Sequence, residues 1–119
     1  MNVVVIGGTG FIGRALCLSL SRKGHRVTVL TRKGRTASRL FDSSVTTVEW
    51  NGHDPGVWEE TLEGTDAVIN LAGVPIADAR WTDARKRLLT DSRVHLTRRL
   101  VEAMSHRAAK PSVLISASG

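Results

Sequence analysis

The sequence has no tyrosine, one cysteine, three prolines and, with three Trp and two Phe, an aromatic share of only 4%. A lone Cys17 permits no intrachain disulfide and removes the usual zinc arrangements, and the four His residues have no ligand-like partners at usable spacing, so no metal is expected. Set between Leu16 and Leu18, Cys17 reads as a small buried hydrophobe. No apolar stretch approaches the roughly 20 residues that cross a bilayer. The segment Met1 to Ile6 enters a strand without a basic leader, so a cytoplasmic protein with no membrane partner is expected. The net charge of +6 is spread over Arg14, Arg22, Lys23, Arg32, Lys33, Arg35, Arg85, Lys86, Arg87, Arg98 and Arg99. With little aromatic interleaving and no recognisable motif, that scatter gives no nucleic-acid partner. Asp78, Asp83 and Asp91 read as loop and helix-face groups and not as paired acid/base carboxylates.

What is present is enough for one modest core: 41% of the 119 residues are hydrophobic, and residues 1–119 read as a single domain. Val3-Val4-Val5-Ile6 is a continuous apolar run, as expected of a strand buried on both faces of a parallel sheet. Ile12, Leu16 and Leu20 follow at helical spacing, with Gly24 as the stop. A second strand is predicted over Arg26 to Thr31, a third over Val45 to Trp50, a short helix over Val57 to Leu62 and a fourth strand over Ala67 to Leu71. A long helix is predicted from an N-cap at Thr82 to about Ala108, with Leu88, Leu89, Leu96, Leu100, Val101 and Met104 as its apolar stripe and Pro111 as its stop. Val113-Leu114-Ile115 supplies a fifth strand. Alternating strands and helices imply right-handed crossovers and a doubly wound, parallel α/β sheet of the Rossmann type. No helix follows to cover the fifth strand, so the unit is expected to be the N-terminal part of a longer domain.

The chemistry concentrates where the first strand ends. Gly7-Gly8-Thr9-Gly10-Phe11-Ile12-Gly13 follows a buried strand and opens a helix inside a βαβ unit, the context that turns a glycine run into a dinucleotide fingerprint. A pyrophosphate needs backbone with no Cβ in the way, and the free N–H groups of the helix start hold the anion. An NAD site places an acid at the end of the second strand to bind the ribose 2′-hydroxyl. Here that stretch reads Leu30-Thr31-Arg32-Lys33. With no acid, the planar donors of Arg32, the Thr31 hydroxyl and the charge of Lys33 or Arg35 suit a 2′-phosphate, and NADP is the expected cofactor.

With Gly7, Gly10 and Gly13, Asn70-Leu71-Ala72-Gly73 and Ser116-Ala117-Ser118, the sequence resembles the short-chain dehydrogenase/reductase superfamily, in its sugar-nucleotide epimerase-like branch. Pro75-Ile76-Ala77, Arg80-Trp81-Thr82 and Asp91-Ser92-Arg93 are similar to the subgroup labelled epimerase family protein. The resemblance implies that Gly7, Gly10, Phe11 and Ile12 border the pyrophosphate, with Thr9 and Gly13 in the same cofactor-binding turn, that Thr31 and Arg32 meet the ribose phosphate with Lys33 beside them, and that Leu71, Ala72 and Gly73 line the cofactor near its ribose. Ser118 corresponds to the family's catalytic Ser/Thr, with Ser116 as its alternative and otherwise a cofactor neighbour. Arg80 and Trp81 lie where a small-molecule substrate, such as a nucleotide sugar, approaches. The family's catalytic Tyr, with a Lys four residues on, has no counterpart in a chain without Tyr. The resemblance thus implies the cofactor-binding half of an NADP-dependent oxidoreductase or epimerase-like enzyme, a homodimer at full length. The alternative is a non-catalytic NADP-binding regulatory or partner-binding module.

Overall fold

The computed structural model describes residues 1–7, 11–32, 41, 44–71 and 83–116, with the side chains of 11 and 83–93 left aside. Five strands form one sheet: β1 (Asn2–Ile6), β2 (Arg26–Thr31), β3 (Val45–Glu49), β4 (Ala67–Asn70) and β5 (Val113–Ser116). Their order is β3-β2-β1-β4-β5, and every pairing is parallel. The order reverses beside β1, because the chain steps outward to β2 and β3 and then crosses back to β4. In open α/β sheets, that reversal creates a crevice at the carboxyl ends of the strands.

Period-two alternation divides the apolar strand residues between two cores. Val3, Val5, Val27 and Val29 pack with Cys17 of helix α1 (Phe11–Arg22), Phe41 and Val45 on one face. Val4, Ile6, Leu30 and Val68 pack on the other with Trp58 and Leu62 of a 3₁₀ helix (Val57–Leu62), Trp50, and Leu96, Leu100 and Ala103 of helix α2 (Asp83–Ser105). Burying each such aliphatic side chain contributes roughly 1.5–3 kcal/mol, so the layers and the sheet stabilise one another. The sheet is therefore doubly wound, as the strand–helix alternation implies.

Helix α1 ends as its glycine predicts. Gly24 takes φ 88°, His25 N–H donates to Leu20 O (3.1 Å) and Gly24 N–H to Ser21 O (3.0 Å), the paired bonds of a Schellman stop.

Other boundaries differ from expectation. Strand β3 ends at Glu49, because Trp50 turns inward to stack on Trp58. Helix α2 ends at Ser105, short of Ala108, with His106 and Arg107 N–H bonded to Ala103 and Met104 carbonyls three residues back. Val101, expected in the apolar stripe, is 47% exposed, and Ala103 takes a core place instead, because the buried side of α2 runs through Leu96, Leu100 and Ala103. The expected N-cap Thr82 lies outside the described residues.

Candidate functional site at the carboxyl edge of the sheet

Three backbone bonds carry the ladder one residue past the strand ends and hold the edge in register. Gly7 N–H donates to Leu30 O (3.4 Å), Leu71 N–H to Ile6 O (2.8 Å) and Trp50 N–H to Thr31 O (2.9 Å). Gly7 has φ 81°, a left-handed conformation that suits glycine, and so begins the turn from β1 toward α1. Helix α1 starts at Phe11 with no acid in its first turn, so its N-terminal N–H groups face this edge with their positive end unopposed. Ile12 is 64% exposed on that turn, whereas Gly13 is buried.

Thr31 closes β2 as a buried polar residue, and Arg32 directly after it is exposed. Among the described residues the ion pairs are His53–Asp54 (3.4 Å) and Arg99–Glu102 (4.0 Å), and Arg32 belongs to neither. Its Nη2 lies 3.8 Å from where a Cβ on Gly52 would stand. Leu71 is half-buried against the α1-side core, and Ser116 is exposed at the end of β5, level with Asn70 in the β4–β5 register. The structure therefore brings Gly7, Ile12, Gly13, Thr31, Arg32, Leu71 and Ser116 to one edge of the sheet. Thr9, Gly10, Lys33, Ala72, Gly73, Arg80, Trp81 and Ser118 lie outside the described residues.

Two features of the edge escaped the sequence reading. Asn70, quoted there only within a motif, is buried at the end of β4, with Nδ2 donating to Thr97 Oγ1 on α2 (3.4 Å). The segment after β3, from Asn51 to Asp54, is a tightly bonded turn. Trp50 and Trp58 stack at 3.8 Å between ring centroids, and both indole N–H groups donate to Asp54 O (3.1 and 2.7 Å). Asn51 Oδ1 accepts from His53 and Asp54 N–H (3.0 and 2.9 Å), and its Nδ2 donates to Asp54 Oδ2 (2.7 Å). Two Trp bracketing an Asn-x-x-Asp turn were the available signal.

Among the described residues neither an activated thiol nor a metal centre is present. Burial pushes the Cys17 thiol up to about 11, which keeps it protonated and inert beneath the sheet. Among the described residues no group of three or more His, Cys, Asp or Glu could hold a metal ion. No described helix is long and apolar enough to cross a membrane. A groove of about 500 Å3 opens at the opposite edge, lined by Asn2, Arg26, Thr28, Thr46, Glu60 and Glu63 among others. Its glutamates and its place at the strand starts, away from the N-terminus of α1, suit a pyrophosphate poorly.

The sequence profile of the NAD dependent epimerase/dehydratase family matches residues 3–119. The chain belongs to this family. It is 38% identical over 120 residues to the epimerase family protein YfhF of Bacillus subtilis, covering 99% of this chain and 37% of that protein. It is 35% identical over 127 residues to the chloroplastic epimerase family protein SDR39U1 homolog of Arabidopsis thaliana, covering 99% of this chain and 34% of that one. Among solved structures, the human epimerase family protein SDR39U1 with NADPH superposes at TM-score 0.70 with 31% identity, over 100% of this chain and 37% of that one. The UDP-glucose 4-epimerase of Bifidobacterium longum reaches TM-score 0.78 at 22% identity, over 100% and 37%, and shares the fold. The chain thus spans about a third of the length of these relatives, and its five strands form the Rossmann-like, cofactor-binding type of unit found among epimerases of the short-chain dehydrogenase/reductase kind.

The edge can be tested against a dinucleotide directly. Gly7 turns through a conformation that removes side-chain bulk, the first turn of α1 carries no competing acid, and an exposed guanidinium stands at the end of β2. These groups fit a polyanionic ligand lying across the crevice.

Proposed function

We propose that this chain holds NADP and forms the cofactor-binding part of an oxidoreductase or epimerase-like enzyme that acts on a hydroxyl or carbonyl carbon of a small molecule. The observation carrying the cofactor choice is Arg32, exposed at the end of β2 where an NAD site would present a carboxylate. Its planar donors suit a phosphate monoester, and buried Thr31 beside it fixes where the guanidinium leaves the strand. The human relative crystallised with NADPH supports the same choice. Gly7, Gly10, Phe11 and Ile12 would border the pyrophosphate, with Thr9 and Gly13 in the same cofactor-binding turn, Lys33 would add charge, and Leu71, Ala72 and Gly73 would line the cofactor near its ribose. When bound, the nicotinamide would exchange a hydride with the substrate carbon.

Ser118, with Ser116 as the alternative, would hydrogen-bond the reacting oxygen, and Arg80 and Trp81 would face the substrate. The chain has no Tyr to carry the proton transfer that the resemblance implies. That same absence favours a second reading, an NADP-binding module without catalysis, which substrate-dependent oxidation of NADPH by the full-length protein would eliminate. The cofactor claim is tested by titrating NADPH and NADH against wild type and Arg32→Ala. Wild type should prefer NADPH, and the variant should lose about ten- to a hundredfold in NADPH affinity, the range for a charge-assisted hydrogen bond, with NADH unchanged. Equal affinities, untouched by the mutation, would overturn it.

A further inference from the structure

We propose that the turn after β3 positions Arg32, and that Gly52 is a specificity-positioning residue for a phosphate monoester on the bound nucleotide. This rests on the NADP reading above and adds how the guanidinium is held. A Cβ built on Gly52 would stand 3.4 Å from Leu96 Cδ1 and 3.8 Å from Arg32 Nη2, so the Arg32 head lies along the bare backbone of Gly52 beside a buried leucine. Arginine loses rotamer freedom whenever it grips a ligand; a surface that already confines the head lowers that loss. A methyl group at 52 would meet the Arg32 head at ordinary van der Waals distance, so a substitution there would act on Arg32 by straining the φ 95° turn beneath it.

The turn holds this surface firmly. Gly52 is buried at φ 95°, a conformation that excludes most other residues, and the flanking bonds from Asn51, Trp50 and Trp58 fix its geometry on both sides. The turn also directs its own acid elsewhere. One oxygen of Asp54 accepts from Asn51 Nδ2 at 2.7 Å and the other lies 3.4 Å from His53 Nδ1. The carboxylate in the sequence Asn51-Gly52-His53-Asp54 is therefore engaged within the turn, and the Arg32 cation remains outside any described ion pair. The Trp50–Trp58 stack thus acts as a clamp on a nucleotide-facing backbone, without needing to touch the nucleotide.

The test is a binding experiment on the full chain with NADPH and NADH, read by calorimetry, in Gly52→Ala, Trp58→Phe, Arg32→Ala and the Gly52→Ala/Arg32→Ala pair. Gly52→Ala should weaken NADPH by about five- to tenfold and leave NADH unchanged, and the same substitution should have no effect once Arg32 is gone, the signature of two coupled residues. Trp58→Phe keeps a stacked ring but deletes one bond to Asp54 O, and should weaken NADPH alone by about two- to threefold. A loss shared equally by both nucleotides, or one that persists in the Arg32→Ala background, overturns the positioning role while leaving the cofactor reading intact. Where strain at φ 95° unfolds Gly52→Ala, Trp58→Phe decides: an unchanged NADPH-to-NADH ratio overturns the proposal. If Arg32→Ala itself leaves that ratio unchanged, the cofactor reading falls, and the positioning claim with it.

Discussion

The two edges of the sheet use their polar groups for opposite purposes. At the amino edge they close the fold. Asp66 accepts from Asn2 N–H through its carboxylate (2.7 Å), donates its own N–H to Asn2 O (2.8 Å) and accepts from Ser112 N–H (3.0 Å), tying the starts of β1, β4 and β5 together. The Glu63 carboxylate accepts from Ala108 and Ala109 N–H (3.2 and 2.9 Å), just after α2. At the carboxyl edge the backbone closes the ladder by itself, leaving a glycine turn, a helix N-terminus and an unpaired Arg32 among the described residues. Acidic side chains thus tie backbone segments together at the amino end, and Arg32 stands outside any described ion pair at the other.

Breaking that division should be visible in unfolding and binding measured side by side. The largest loss of stability is expected from Glu63→Ala, about 1–2 kcal/mol by chemical denaturation for two charge-assisted bonds in an exposed setting, with NADPH affinity unchanged. Asp66→Ala should cost about 1 kcal/mol, again with no effect on binding. If either substitution impaired NADPH binding as much as it impaired stability, the separation of the edges would fail. Arg32→Ala should reverse the pattern, shifting stability by no more than about 0.5 kcal/mol, as for an exposed side chain without an ion pair, while binding falls.

Between the edges, at Cys17, an effect is expected only at alkaline pH. Its folded-state pKa of about 11 exceeds the thiol's ordinary value of 9.0, because burial disfavours the thiolate. The folded chain therefore keeps a proton that the unfolded chain releases, and this contribution is fully present below pH 9 and declines as pH rises toward 11. Cys17→Ala should show a shallower decline of stability over that window; an identical slope would mean that the thiol is not buried in solution.

Much of this architecture could be read locally. The apolar runs at Val3–Ile6 and Ala67–Asn70 place two neighbouring strands, and the glycine run, with Gly7 at φ 81°, marks the crevice. The 3₁₀ helix falls on Val57–Leu62, the segment expected to be a short helix. Errors occurred where distant contacts intervene. Nothing near Ala108 announces that Glu63, 45 residues earlier, takes its N–H. Val101 lies beside Leu100 in sequence and matches the apolar pattern, yet only packing against the sheet settles which face of α2 is buried.

By itself the sequence determined the parallel βαβ character of the chain, the place of its glycine turn after β1 and the absence of an acid directly after β2, because strand burial, glycine freedom and charge at a given position are short-range properties. Tertiary structure alone decided what lies beneath Arg32. Residues 32 and 52 meet because β2 and β3 pair in parallel, with Thr31 level with Glu49, and because Trp50 and Trp58 fold the following turn back over α2. Such a contact depends on register and layer packing, which no local pattern of residues can specify.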